Sequence, residues 1–215
     1  MATPRPDPSH GADAPPLPLL TLDLDGVVCA PVFGLNVGIH RSFLDPDAPP
    51  RPAVIWPRLV AGPWDRARYN LRRPLLEARE ALPVLARARR LVLLTGRRTD
   101  PSGWLRRHRL DGYFERVVYN RGPLRSAHYK LHAVHEIGPE AHVEDDPRTA
   151  QLLAQEAGVT VYLRDWPRNR DLDFAERVTR IATLSDLAAR LGPPGDRSGW
   201  TEPSGRPYGA PGGVP

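Results

Sequence analysis

Five apolar runs of strand length, each ending in a polar turn, restrict this chain to a narrow set of folds. They are Leu19 to Leu24, Leu91 to Leu94, Val117 to Tyr119, Ala141 to Val143 and Val159 to Leu163. Helix-like stretches fall between them. Pro83 to Arg90 reads as a short helix opened by its proline, Asp100-Pro101 as a cap followed by a first-turn proline, and Pro147 to Ala157 as a helix stopped by Gly158. Strands alternating with helices of this length predict an α/β fold, a Rossmann-like parallel sheet with helices on both faces. The run from Leu91 to Leu94 is far below the ~20 residues that span a bilayer, so no membrane partner is expected.

Proline divides the chain further. Six prolines lie in residues 1 to 18, eight in residues 31 to 74 and six in residues 192 to 215. The first and last groups read as disordered tails, because such stretches cannot bury enough apolar surface to offset the entropy of ordering. One folded domain over residues 19 to 191 is the expectation. Residues 31 to 74 break the strand and helix rhythm and read as a cap inserted after the first strand. Ligands of open parallel sheets bind outside the carboxyl ends of the strands, so such a cap overhangs the site. Trp56, Trp64 and Tyr69 are assigned to the small core of that cap. The single Cys29 forms no internal disulfide and is assigned a buried apolar role; with an N-terminus lacking a secretory pattern, this suggests a cytoplasmic protein.

The strand ends carry the chemistry. Leu22-Asp23-Leu24-Asp25-Gly26 closes an apolar run with two carboxylates. In extended chain they lie on one side at ~6 to 7 Å spacing, suited to holding a cation or to dividing nucleophilic and acid/base roles. Thr95-Gly96-Arg97 follows the second run and offers a hydroxyl and backbone amides to a phosphate oxygen. Glu144-Asp145-Asp146 follows the fourth. Three adjacent acids near Asp23 and Asp25 call for a cation, and hard oxygen ligands indicate Mg2+. Lys130 is the only lysine beside 29 arginines, as though a compact ammonium were wanted at that position. His128, His132 and His135 share a helical face with Lys130 but lack the spacing of a zinc protease site, and are assigned to core or surface.

Asp-x-Asp-Gly, Leu-Leu-Thr-Gly-Arg, a later lysine and Glu-Asp-Asp, in this order over residues 19 to 165, resemble the haloacid dehalogenase-like hydrolase superfamily. The resemblance implies that Asp23 attacks phosphorus to form an aspartyl-phosphate. Asp25 would protonate the leaving oxygen and then activate water. Thr95, Gly96 and Lys130 would hold the phosphoryl oxygens. Asp23, the carbonyl of Asp25 and either Asp145 or Asp146 would bind Mg2+, with Glu144 in support. An acid at position 25 favours phosphoester cleavage over dehalogenation, since an alkoxide leaving group needs a proton. Val161 to Asn169 resembles the Pro-x-Asn segment of deoxyribonucleotidase-like members, and Thr95 to Leu105 the phosphatase half of polynucleotide end-processing enzymes.

The expected protein is a phosphatase of nucleotides or other small phosphate esters. Its rival is a nucleic-acid-binding or nucleic-acid-end phosphatase protein using the Arg-rich cap. Residues 31 to 74 hold seven arginines against three acids, a denser basic patch than the rest of the domain, which favours an anionic substrate beneath the cap.

Overall fold

The computed structural model describes residues 16–31, 39, 42–45, 47–52, 72–170, 172, 174 and 176–193. Of the tails assigned to residues 1–18 and 192–215, residues 1–15 and 194–215 lie outside them, as do most of the insertion and Trp56, Trp64 and Tyr69. Six strands form one sheet: β1 (Leu19–Leu22), β2 (Arg90–Thr95), β3 (Arg116–Tyr119), β4 (Ala141–Glu144), β5 (Thr160–Arg164) and β6 (Val178–Ile181), in spatial order β3-β2-β1-β4-β5-β6. Every neighbouring pair runs parallel. Burial on both faces explains the unbroken apolar runs: Leu91 through Thr95 are all buried.

The helices are α1 (Leu76–Ala88), α2 (Ser102–His108), α3 (Ser126–Ile137), α4 (Pro147–Glu156) and α5 (Leu184–Leu191). On one face, Leu82 and Leu85 of α1, Leu105 of α2 and Leu184 and Leu187 of α5 pack on Leu20, Leu22, Leu91 and Leu93. On the other, Ala133 and Val134 of α3 and Leu153 of α4 pack on Leu94, Val161 and Leu163. The α/β architecture read from the runs is therefore the one observed.

Three elements depart from the sequence reading; in α2 the departure is one residue, with Pro101 rather than Asp100 at the N-cap, although Asp100 Oδ1 still accepts from the Ser102 amide at 2.9 Å. The first helix begins at Leu76 rather than at Pro83, and Pro83 stands inside it. Proline there removes the bond to the Arg79 carbonyl, a cost of ~3 kcal/mol that the buried stripe of Ala78, Ala81, Leu82 and Leu85 offsets. β6 escapes a search for apolar runs because Val-Thr-Arg-Ile buries only Ile181 at the sheet edge.

The chain runs from β1 outward to β2 and β3, then returns to lay β4 on the other side of β1. Such a reversal opens a crevice beyond the carboxyl ends of β1 and β4. The limbs of the insertion meet there: the Ala30 amide donates to the Arg73 carbonyl at 2.9 Å, and the Leu75 amide to the Val28 carbonyl at 2.9 Å.

Candidate active site

The turn after β1 aims two carboxyls into this crevice. The Asp23 amide donates to the Val143 carbonyl at 2.9 Å and fixes Asp23 beside β4. Gly26 then takes φ +70°, a left-handed conformation that a side chain resists, and its amide donates to the Cys29 carbonyl at 2.9 Å. Trp166 braces the same turn, its Nε1 donating to the Gly26 carbonyl at 3.1 Å.

Lys130 crosses from α3 to join β1 and β4. Its Nζ lies 3.0 Å from Asp23 Oδ1 and 2.7 Å from Glu144 Oε2, and all three residues are buried. Oxygens of Asp23, Glu144 and Asp145 lie within 4.8 Å of one another. Burial, reinforced by the charges of Glu144 and Asp25 and opposed by Lys130, lifts the Asp23 carboxyl to about 7. Burial and the charges of Glu144 and Asp23 raise Asp145 well above the carboxylate range. Glu144 moves the other way: burial opposes its charge, yet the Lys130 ammonium and the His142 hydrogen bond bring it below that range. Lys130 is likewise desolvated, but Asp23 and Glu144 keep it charged.

This donor set fits a divalent cation. Asp23 Oδ1 is buried without a well-aligned hydrogen bond, and Asp23 and Asp145 resist ionisation while facing one ammonium between them. Oxygen-only ligands suit Mg2+. Of the two candidate aspartates on this turn, Asp145 stands in the cluster. Asp146 caps α4 instead, its Oδ2 accepting from the Thr149 amide at 3.3 Å and hydroxyl at 2.7 Å.

Asp25 faces arginines. Arg97 donates to it through Nε (2.7 Å to Oδ2) and Nη2 (2.5 Å to Oδ1), and Arg72 through Nη1. Burial acts to raise the Asp25 carboxyl, but the two guanidiniums outweigh it and hold it down at about 2. Thr95 is buried at the end of β2, its Oγ1 accepting from the Arg97 amide at 3.3 Å. Gly96 passes so near the start of α3 that a Cβ there would lie 1.9 Å from Ser126 Oγ. Only glycine lets the Thr95 loop lie flat against that helix.

The structure thus gathers Asp23, Lys130, Glu144 and Asp145 in one cluster, with Asp25 and its arginines at the same sheet end. The three histidines do not surround Lys130: His132 and His135 are exposed, while Lys130 turns inward with Ala127, Ala133 and Val134. Sequence reasoning missed the two-arginine clamp, although Arg97 adjoins the Thr95-Gly96 pair. It also missed Asn169 as a support: its Nδ2 donates to the Asp145 carbonyl at 3.0 Å and the Arg164 carbonyl at 2.9 Å. The Pro-x-Asn resemblance was the signal that pointed there.

No family model matches the chain, and no curated protein matches it. Solved structures do. A HAD-superfamily hydrolase of subfamily IA from Geobacter sulfurreducens PCA is 18% identical, with a TM-score of 0.51 over 81% of this chain and 100% of that one. CbbY from Rhodobacter sphaeroides, solved in complex with phosphate, is 13% identical, with a TM-score of 0.53 over 80% and 96% of the two chains. A haloacid dehalogenase-like hydrolase from Streptococcus pneumoniae is 15% identical, with a TM-score of 0.55 over 81% and 98%. At these identities the likeness establishes the fold: the chain has the α/β fold of the haloacid dehalogenase-like hydrolases.

Proposed function

We propose that the chain is a Mg2+-dependent phosphomonoester hydrolase acting through an aspartyl-phosphate on Asp23. The observation that carries this reading is the meeting of Asp23, Asp145 and Lys130 at the switch point of the sheet, beside the Asp25 carboxyl. The phosphate bound to CbbY, which shares the fold, supports a phosphate ligand.

Asp23 attacks phosphorus, a bond from its carboxylate oxygen to phosphorus forms, and the bond to the leaving oxygen breaks. Lys130, the Thr95 hydroxyl and the Gly96 amide meet the charge that gathers on the equatorial oxygens. Asp25 gives a proton to the leaving oxygen, then takes one from the water that attacks phosphorus. That second step frees Asp23 and inorganic phosphate. Mg2+, held by Asp23, Asp145 and the Asp25 carbonyl, would supply the charge that lets an anionic carboxylate approach an anionic phosphate.

The substrate class is a nucleoside monophosphate or similar small phosphate ester. A panel of phosphorylated metabolites and phosphate-ended oligonucleotides, assayed with Mg2+, tests this. Asp23→Asn should lower kcat/KM by roughly four orders of magnitude or more while preserving the circular-dichroism melt. Asp145→Asn should abolish Mg2+ activation, and Asp146→Asn should retain it. Near-normal turnover by Asp23→Asn would contradict the mechanism.

A further inference from the structure

His142 is fully buried in β4, two residues before Glu144 and on the same side of the strand. It pairs in register with Thr21 of β1. Its Nδ1 lies 2.8 Å from Thr21 Oγ1, and its Nε2 lies 3.1 Å from Glu144 Oε2. The hydrogen-bond roles assign the tautomer. An ionised Glu144 can only accept, so Nε2 carries the proton and Nδ1 is an acceptor. The single proton of Thr21 then goes to Nδ1 rather than to the Ala141 carbonyl at 3.3 Å, the longer contact.

Every acceptor position on Glu144 is taken. Oε1 takes the amides of Asp145 (3.1 Å) and Asp146 (3.2 Å), and Oε2 takes Lys130 Nζ (2.7 Å) and His142 Nε2 (3.1 Å). A carboxylate offers about four lone-pair sites, so Glu144 is saturated. It stands in the acidic cluster, yet it has no lone pair to give a cation. Asp23 and Asp145 are left as the two carboxylate ligands. A third would neutralise a divalent ion beyond its charge and weaken its hold on a phosphate oxygen.

We propose that His142 is a positioning residue: by filling the last acceptor site of Glu144, it keeps Glu144 on Lys130 and off the cation. This rests on the Mg2+ phosphatase reading above. The test uses the full chain, isothermal titration with MgCl2 alone, and kcat on an active phosphate ester. His142→Asn keeps an acceptor for Thr21 but cannot reach Glu144. Glu144 is then free to swing onto the cation, so the Mg2+ Kd should tighten roughly 10-fold while kcat falls, a combination that loss of packing does not produce. His142→Gln places an amide donor near the Nε2 position and should restore both values to near wild type. Identical behaviour of the two variants, or weakened Mg2+ binding in His142→Asn, would overturn the proposal. If His142→Asn fails to fold, His142→Ala, which also removes the donor to Glu144, takes its place beside His142→Gln: a Kd tightened roughly 10-fold in His142→Ala but not in His142→Gln supports the role, and equal Kd values in the two overturn it. Asp145→Asn separates the two readings. If it still binds Mg2+ with unchanged affinity, the metal site itself is wrong and the role of His142 falls with it; if it loses binding while the His142 variants match wild type, only the role of His142 falls.

Discussion

Asp25 is set by two guanidiniums that both lie far beyond it in the chain. Arg97 follows β2 and Arg72 ends the insertion, 47 residues beyond the aspartate, so the second partner is invisible until the sheet brings them together. The pair holds Asp25 ionised, at about 2. An acid must carry a proton to give one, so the clamp opposes the first half of the proposed reaction and favours the second, where Asp25 accepts a proton from water. Removing Arg72 takes away charge that stabilises the anion, so the Asp25 pKa rises toward that of an ordinary carboxyl. Arg72→Met is therefore expected to move the alkaline limb of kcat for alkyl phosphates up by roughly one pH unit. An aryl phosphate, whose leaving group needs no proton, should show no such shift. Equal pH profiles for wild type and variant with the alkyl substrate would rule out the clamp as the control of Asp25. Asp23, Asp25 and Lys130 were legible from sequence because charged residues at the end of an apolar strand, and a lone lysine among arginines, stand out locally. The separation of Asp145 from Asp146 was not: neighbours in sequence face different ways, and only the fold puts Asp145 in the acidic cluster and Asp146 on the cap of α4.

At the scale of elements, five strands were legible because burial on both faces makes each a short unbroken apolar run. β6 and the true start of α1 were not, because an edge strand need not be apolar and a buried helical stripe can hold a proline in its interior. After β6, α5 is fixed by a reciprocal cap: the Thr183 hydroxyl accepts from the Asp186 amide at 3.1 Å, and Asp186 Oδ2 accepts from the Thr183 amide at 2.8 Å. Leu184 and Leu187, just inside that cap, belong to the core that also holds Leu82 and Leu85 of α1. Thr183→Ala should therefore cost about 1 kcal/mol of unfolding free energy in urea titration, with any phosphatase turnover unchanged in the folded protein. An unchanged midpoint would mean that packing alone holds α5.

Over the whole molecule, a basic composition proves to be two different things. Many arginines are spent on the scaffold: Arg164 pairs with Glu77, Arg180 with Asp165 and Arg90 with Glu115, tying helices, strands and loops together. At the crevice stand the one lysine, against Asp23 and Glu144, and Arg72 and Arg97, against Asp25. No helix among the described residues is long and apolar enough to cross a membrane. Sheet order, helix packing and the insertion limbs converge on the carboxyl end of β1, so the mechanism stands or falls on Asp23. The most direct measurement is acid quenching during turnover of a phosphate ester labelled in its phosphoryl group, followed by peptide mapping. A phosphoryl group that appears on the Asp23 peptide within one turnover and disappears as substrate is exhausted is the expected result. Steady turnover with no label on that peptide, or label undiminished in Asp23→Asn, would contradict it.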